Sequence, residues 1–309
     1  MDSSSTFVPP SVHASALLSG ESYTHVSPIP AHLHSTPCTL GIDEAGRGPV
    51  LGPMVYAAYF LPCTQSESLL REKYKFDDSK ALSSGVRTDL MRQVCDTDSE
   101  LGKVSAWAVA VLSARDISAC MMKGTSLNAM AYDATVDLIR KVYEAGVNVR
   151  EIYVDAVGPP VPYQSKLQHL FPTSRVVVAN KADSLYPSVS AASVCAKVTR
   201  DAVLEHLFAS RNAQDEDAET WGSGYPSDAR CVSWLKTNLH PVFGWGSECR
   251  FSWATAKDLL DGEAAVKVDW PLPQGDSRPL TDFFVAGCDK RGSDELASWF
   301  GTSVGQEVL

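Results

Sequence analysis

Two short runs that are apolar without alternation, residues 151–157 (EIYVDAV) and 175–179 (RVVVA), narrow the possible folds more than anything else in the chain. A strand that is apolar on both sides of its pleat belongs inside a sheet covered on two faces, as in parallel or mixed α/β sheets. Upstream, residues 39–42 lead into Asp43 and Glu44, then into a turn carrying Gly46, Gly48, Pro49, Gly52 and Pro53. Residues 54–61 and 104–112 combine alternation with β-branched and aromatic residues, which predicts two further strands. Between them Ser83 and Ser84 are placed to cap a short helix through Cys95. Over residues 126–145, Leu127, Met130, Ala131, Ala134, Leu138 and Val142 form one helical stripe, a core-facing surface that Gly146 terminates. Helices are also expected from Ser188 and from Asp228. The order βββαβ(α)β predicts an α/β fold with a mixed five-stranded sheet flanked by helices.

The flanks have a different texture. Residues 1–37 are rich in Ser, Pro and His without any period, so a disordered head is expected there. A core over residues 38–210 and a helical C-terminal extension with a partner-docking tail over residues 211–309 complete the expected organisation. A composition 44% hydrophobic and 21% charged excludes collagen-like, coiled-coil and wholly disordered chains. No apolar run approaches the ~20 residues of a membrane span, and no basic stretch followed by an apolar core opens the chain, so no membrane association or secretion is expected. The 8 cysteines are scattered with no CxxC pair, which points to free thiols in an intracellular protein. A net charge of −10 argues against a broad basic surface for nucleic acid; such a substrate would need metal ions and a local basic groove.

The informative acids sit at strand ends. Asp43 and Glu44 close the first strand, Asp155 lies inside an apolar strand between Val154 and Ala156, and Asp183 follows the next strand within NKADSLYPS. A buried Asp without a neighbouring cation is costly, and several converging acids raise one another's pKa unless a divalent cation joins them. All-oxygen ligation suits Mg²⁺ or Mn²⁺. Neighbours on a strand point to opposite faces, so Asp43 and Glu44 are expected to reach one metal only if the pleat breaks, which Gly46 and Gly48 would permit. The chain has no P-loop and no GxGxxG, and no catalytic Cys or Ser–His pair stands out. The four acids therefore point to phosphoryl chemistry with two metal ions.

The run GIDEAGRGPVLGPMVYAA (residues 41–58) resembles type 2 ribonuclease H (ribonuclease HII), most closely the catalytic A subunits of the eukaryotic enzymes. DDSKAL (77–82), TSLNAMAYDA (125–134), IYVDAVG (152–158), KADSLYPSVSAASVCAKVTRD (181–201), GSGYPSD (222–228) and FGWGSECRFSWATA (243–256) carry the likeness across residues 39–260 in the family's order. The resemblance implies a ribonuclease-H-like core with a helical C-terminal extension, and catalytic, metal-holding carboxylates at Asp43, Glu44, Asp155 and Asp183. It implies hydrolysis of the RNA strand of RNA/DNA hybrids and incision 5′ of single ribonucleotides embedded in duplex DNA, as in ribonucleotide excision repair and RNA primer removal. It assigns the turn Gly46, Arg47, Gly48 to the ribose 2′-hydroxyl, the group that distinguishes RNA from DNA, and Tyr225 to the next deoxyribose. Lys80, Asn128, Lys181 and Lys197 fall in motif segments suited to phosphate contact.

The tail segment PLTDFFVAG (279–287) resembles a peptide that docks on a sliding clamp, through Leu280, Phe283 and Phe284, but Ser277 stands where a glutamine is usual. In the eukaryotic family this region packs instead on two accessory subunits of a heterotrimer. Nuclear localisation is implied by that resemblance alone. Two other readings stay open from the residues: another nuclease of the same fold class, and a non-catalytic member of a nucleic-acid complex.

Overall fold

Apolar strands that hide both faces need helices on both, and the chain supplies them. The computed structural model describes residues 7–76, 82–211, 220–262 and 265–266, all within one compact unit, Met1–Lys267. Six strands form a single sheet: β1 (Tyr23–Val26), β2 (Cys38–Ala45), β3 (Met54–Pro62), β4 (Ala106–Leu112), β5 (Val149–Asp155) and β6 (Arg175–Ala179). Their order is β1-β4-β3-β2-β5-β6. The β1–β4, β4–β3 and β3–β2 pairs are antiparallel, whereas β2–β5 and β5–β6 are parallel. The sheet is therefore mixed, with β2 at the change from one half to the other.

The period-2 rule sorts the core. Met54, Tyr56, Ala58 and Phe60 of β3 face one layer, with the apolar stripe of α5 (Leu127–Glu144) and Tyr163 and Leu167 of α6 (Pro160–Leu170). Val55, Ala57, Tyr59 and Leu61 face the other, against α2 (Ser84–Cys95) and α8 (Pro187–Arg211). Ser83 caps α2 as expected, accepting from the backbone N–H of Val86, and Ser126 caps α5 in the same way, accepting from that of Ala129. A Cβ at Gly41 would lie 2.2 Å from the carbonyl carbon of Ser188, so α8 rests directly on β2 where Gly41 has no side chain.

Three expectations need correction. Residues 7–37 are not outside the fold: α1 (Ala14–Ser19) and β1 are ordered, and β1 adds a sixth strand by pairing with β4 from Tyr23↔Val111 to Val26↔Ala108. Backbone hydrogen bonds hold this segment, helped by Ser11 Oγ with Thr199 Oγ1 at 2.8 Å and by His13 stacked on Tyr23 at 4.5 Å. The fourth strand along the chain begins at Ala106, because Val104 closes a short helix, α3 (Glu100–Val104), capped by Ser99. The pleat of β2 does not break between Asp43 and Glu44, since regular pairing with β3 continues through Ala45↔Val55.

Among the described residues, 220–262 carry α9 (Ala229–Thr237) and α10 (Ala254–Leu260). Trp221, Trp234, Leu235 and Trp245 form a third apolar cluster with Val50, Leu51 and Leu204, which seats this region on the turn after β2. Cys38, Cys195, Cys231 and Cys249 are buried, and Cys63, Cys95 and Cys120 are half-buried; all are free thiols. Gly41→Ala is expected to cost about 3 kcal/mol or more, because both sides of the clash are backbone and neither can rotate away; a lowered midpoint in urea unfolding would report it.

Candidate active site

The acids converge where the parallel pairing stops. The β2–β5 register ends at Ile42↔Val154, and β2 continues beside β3 alone. Asp43 and Glu44 thus flank an opening at the carboxyl ends of the parallel strands, with Asp155 at the end of β5, the usual place for a site in such sheets. One oxygen from each of Asp43, Glu44 and Asp155 lies within 4.8 Å of the others. Asp43 approaches from the α8 face, where Ser193 hydrogen-bonds its carboxylate, and Glu44 from the other face, opposite Tyr56. The two reach a common point past the sheet edge without a broken pleat.

Burial first, and then the charges of Glu44 and Asp155, hold the Asp43 carboxyl well above the usual carboxylate range, against the Ser193 hydrogen bond. Burial and Asp155 push Glu44 up to about 7, with Arg47 opposing. Asp155 Oδ1 accepts from the Ala182 backbone N–H at 2.7 Å, which ties β5 to the short α7 (Ala182–Leu185). Asp183, in that turn, is buried and its charge raises Glu44 further, but it stands outside the tight trio. Three mutually repelling carboxylates, Asp43 buried and the other two half-buried, offer only oxygen and fit a hard divalent cation.

The glycine turn lies beside them. Gly46 has φ +79°, and a Cβ there would lie 2.6 Å from the Pro53 carbonyl oxygen, so only glycine fits. A buried guanidinium fixes this turn: Arg250 donates to the carbonyl oxygens of Gly52 at 3.0 Å, Arg47 at 3.0 Å and Gly46 at 2.6 Å. Burial and the nearby Arg200 push the Arg250 pKa down to about 9, so it stays charged at neutral pH. Trp253 adds a bond from Nε1 to the Gly48 carbonyl at 3.0 Å while its ring faces the Arg250 guanidinium. Tyr225 sits against Gly48, its ring 5.5 Å from the guanidinium of Arg200, which also donates to the Ser223 carbonyl at 2.6 Å.

Glu44, Gly46, Arg47, Gly48, Lys197 and Tyr225 line one cleft of about 310 Å³. Arg47 also donates to Asn128 at the start of α5. Lys181 is exposed at the head of α7, outside that cleft's lining. Lys80, Leu280, Phe283 and Phe284 lie outside the described residues. Arg200, Arg250 and Trp253 were not singled out from the sequence. The available signal was Arg250 as a lone cation among Trp245, Phe251 and Trp253.

A mixed sheet whose parallel half ends in converging carboxylates, next to a backbone ledge and a cationic cleft, defines a metal-dependent nuclease of the ribonuclease-H-like class. The sequence model described as Ribonuclease HII matches residues 40–256. The chain belongs to that family. It is 53% identical to the ribonuclease H2 A subunit of Neurospora crassa over 100% of this chain and 98% of that one. It is 46% identical to the protein of the same name in Schizosaccharomyces pombe, over 97% and 90%. In a solved complex of PCNA and RNase HII from Archaeoglobus fulgidus, a chain 29% identical superposes with a TM-score of 0.59, over 72% of this chain and 97% of that one.

Because the folded-state pKa of Glu44 is about 7 against an ordinary 4.5, folding favours its protonated form; the associated stability is present below pH 4.5 and lost as pH rises through 7. With divalent ions chelated, the protein is expected to lose on the order of 2 kcal/mol relative to Glu44→Gln between about pH 5 and about pH 8. Saturating Mg²⁺ should remove that difference. Parallel unfolding curves for the two proteins across the range would show that Glu44 is not under this strain.

Proposed function

We propose that this endoribonuclease, besides hydrolysing the RNA strand of RNA/DNA hybrids, incises duplex DNA on the 5′ side of a single embedded ribonucleotide, leaving a 3′-hydroxyl and a 5′-phosphate. The observation that carries the reading is the converging trio Asp43, Glu44 and Asp155 beside a glycine turn whose backbone is held rigid by Arg250. Those three carboxylates, with Asp183 as the fourth, would hold two ions, Mg²⁺ or Mn²⁺. Bound there, such ions supply activation of water and charge stabilisation for an in-line displacement at phosphorus.

The chain's own residues do the selecting. Gly46 and Gly48 bring backbone close enough to meet a ribose 2′-hydroxyl, the group absent from DNA. Tyr225, braced by Arg200, presents a ring to the following sugar that leaves no room for a second 2′-hydroxyl. Lys197 in the same cleft suits a phosphate, with Asn128, Lys181 and Lys80 as further backbone contacts. A local basic set of this kind offsets a net charge of −10.

The fungal relatives are each named as one lettered component of ribonuclease H2, which supports work within a multi-subunit complex, here read as a heterotrimer with two accessory subunits. The Archaeoglobus complex with PCNA supports a clamp as a further partner, through residues 280–284. Nuclear localisation, ribonucleotide excision repair and primer removal belong to the same reading.

With its partners where turnover needs them, the protein is expected to cut a duplex carrying one ribonucleotide once Mg²⁺ is added, and an uncut duplex would sink the proposal. Asp155→Asn should lower kcat at least about 10³-fold while the fold persists. Tyr225→Ala should reduce kcat/KM more on the single-ribonucleotide duplex than on a long hybrid. An equal loss on both would mark the ring as merely structural.

A further inference from the structure

A second cleft, of about 370 Å³, opens between the first turns of α5 and the segment that joins β5 to α6. Of its lining, the reading above uses Asn128 alone. Two links make it continuous with the site. Arg47, whose residue lines the first cleft, donates to Asn128, which lines the second. Tyr163, also in its wall, is buried with its hydroxyl on Thr135 Oγ1 at 3.0 Å, near enough to Glu44 for that carboxylate to add to the effect of burial on the phenol. The far wall carries Tyr132, with the Lys166 ammonium 5.8 Å from its ring centroid.

The lining is mixed: a cation and the Asn128 amide stand among aromatic and apolar side chains, a set that a sugar-phosphate segment can use. Lys166 is exposed and is the one cation of the lining; Asp133, equally exposed, is its one acid and lines a neighbouring groove as well. Space stands open at Gly158, where an added Cβ would meet nothing within 4 Å. A ring with a flexible ammonium beside it is a common platform for a nucleic-acid strand, the ring meeting a sugar or base face and the cation a phosphate.

Building on the reading above, which gives Tyr225 the nucleotide on the 3′ side of the ribonucleotide, we propose that Tyr132 and Lys166 hold the scissile strand on the 5′ side of the cut. The Lys166 ammonium meets one backbone phosphate. A strand lying across Glu44 leaves the Tyr225 cleft and passes over Arg47 and Asn128 into the second one.

The test uses the full chain, with its partners where turnover needs them, on duplexes with one ribonucleotide. Lys166→Ala is expected to lower kcat/KM about 5-fold through KM, with kcat little changed, and to reduce the slope of log Kd against log salt by about 1. Lys166→Arg should restore most of both. Shortening the scissile strand on the 5′ side should erase the difference between wild type and Lys166→Ala, and shortening it on the 3′ side should not. Wild-type cleavage together with a Lys166→Ala protein of unchanged KM and salt slope overturns this inference alone, as does a difference erased only from the 3′ side. A wild-type protein that leaves the duplex uncut overturns the underlying reading first.

Discussion

Repulsion among converging carboxylates is the constraint around which this molecule is arranged. Asp43, Glu44 and Asp155 are brought together by strand geometry, not by mutual attraction, and the sheet must be stable enough to keep them there. The fully buried β3 beside β2, and α8 seated on Gly41, supply that rigidity. Uncompensated charge in a low-dielectric pocket is a standing cost. The same cost makes the pocket a strong site for a small divalent cation, so affinity for the ion is stored in the fold before the ion arrives.

The glycine ledge shows the complementary strategy. Backbone without side chains at Gly46 and Gly48 cannot be stiffened by them, so the stiffness is imported from about 200 residues further along the chain. Arg250 satisfies three carbonyl oxygens at once and Trp253 a fourth. A planar, permanently charged fork suits this task better than the single point charge of a lysine. The shape of the turn therefore depends on the C-terminal region as well as on the sheet, although the acids all come from the core.

Legibility in the sequence followed physical cause. Asp155 was readable because an acid in an apolar strand demands a partner, and β5 and β6 because continuous apolar runs admit few other states. The glycine turn and Tyr225 acquired roles only through family likeness; the structure shows them side by side at one cleft. Arg200 and Arg250 escaped notice because a buried arginine leaves no periodic mark that separates it from a surface one. The first strand escaped for a related reason. Its stability comes from backbone pairing to a distant partner, and Tyr-Thr-His-Val carries no strong pattern of its own.

That distant pairing imposes an order of events on the newborn chain. Tyr23 leaves the ribosome early, yet Val111, opposite it in the sheet, is made on the order of ten seconds afterwards at ordinary translation speed. Until then the β1 segment has no edge to join, and His25 has no Trp107 to pack on. The sheet on that side is thus sealed by the first-made of its strands acting last, like a latch that waits for its door.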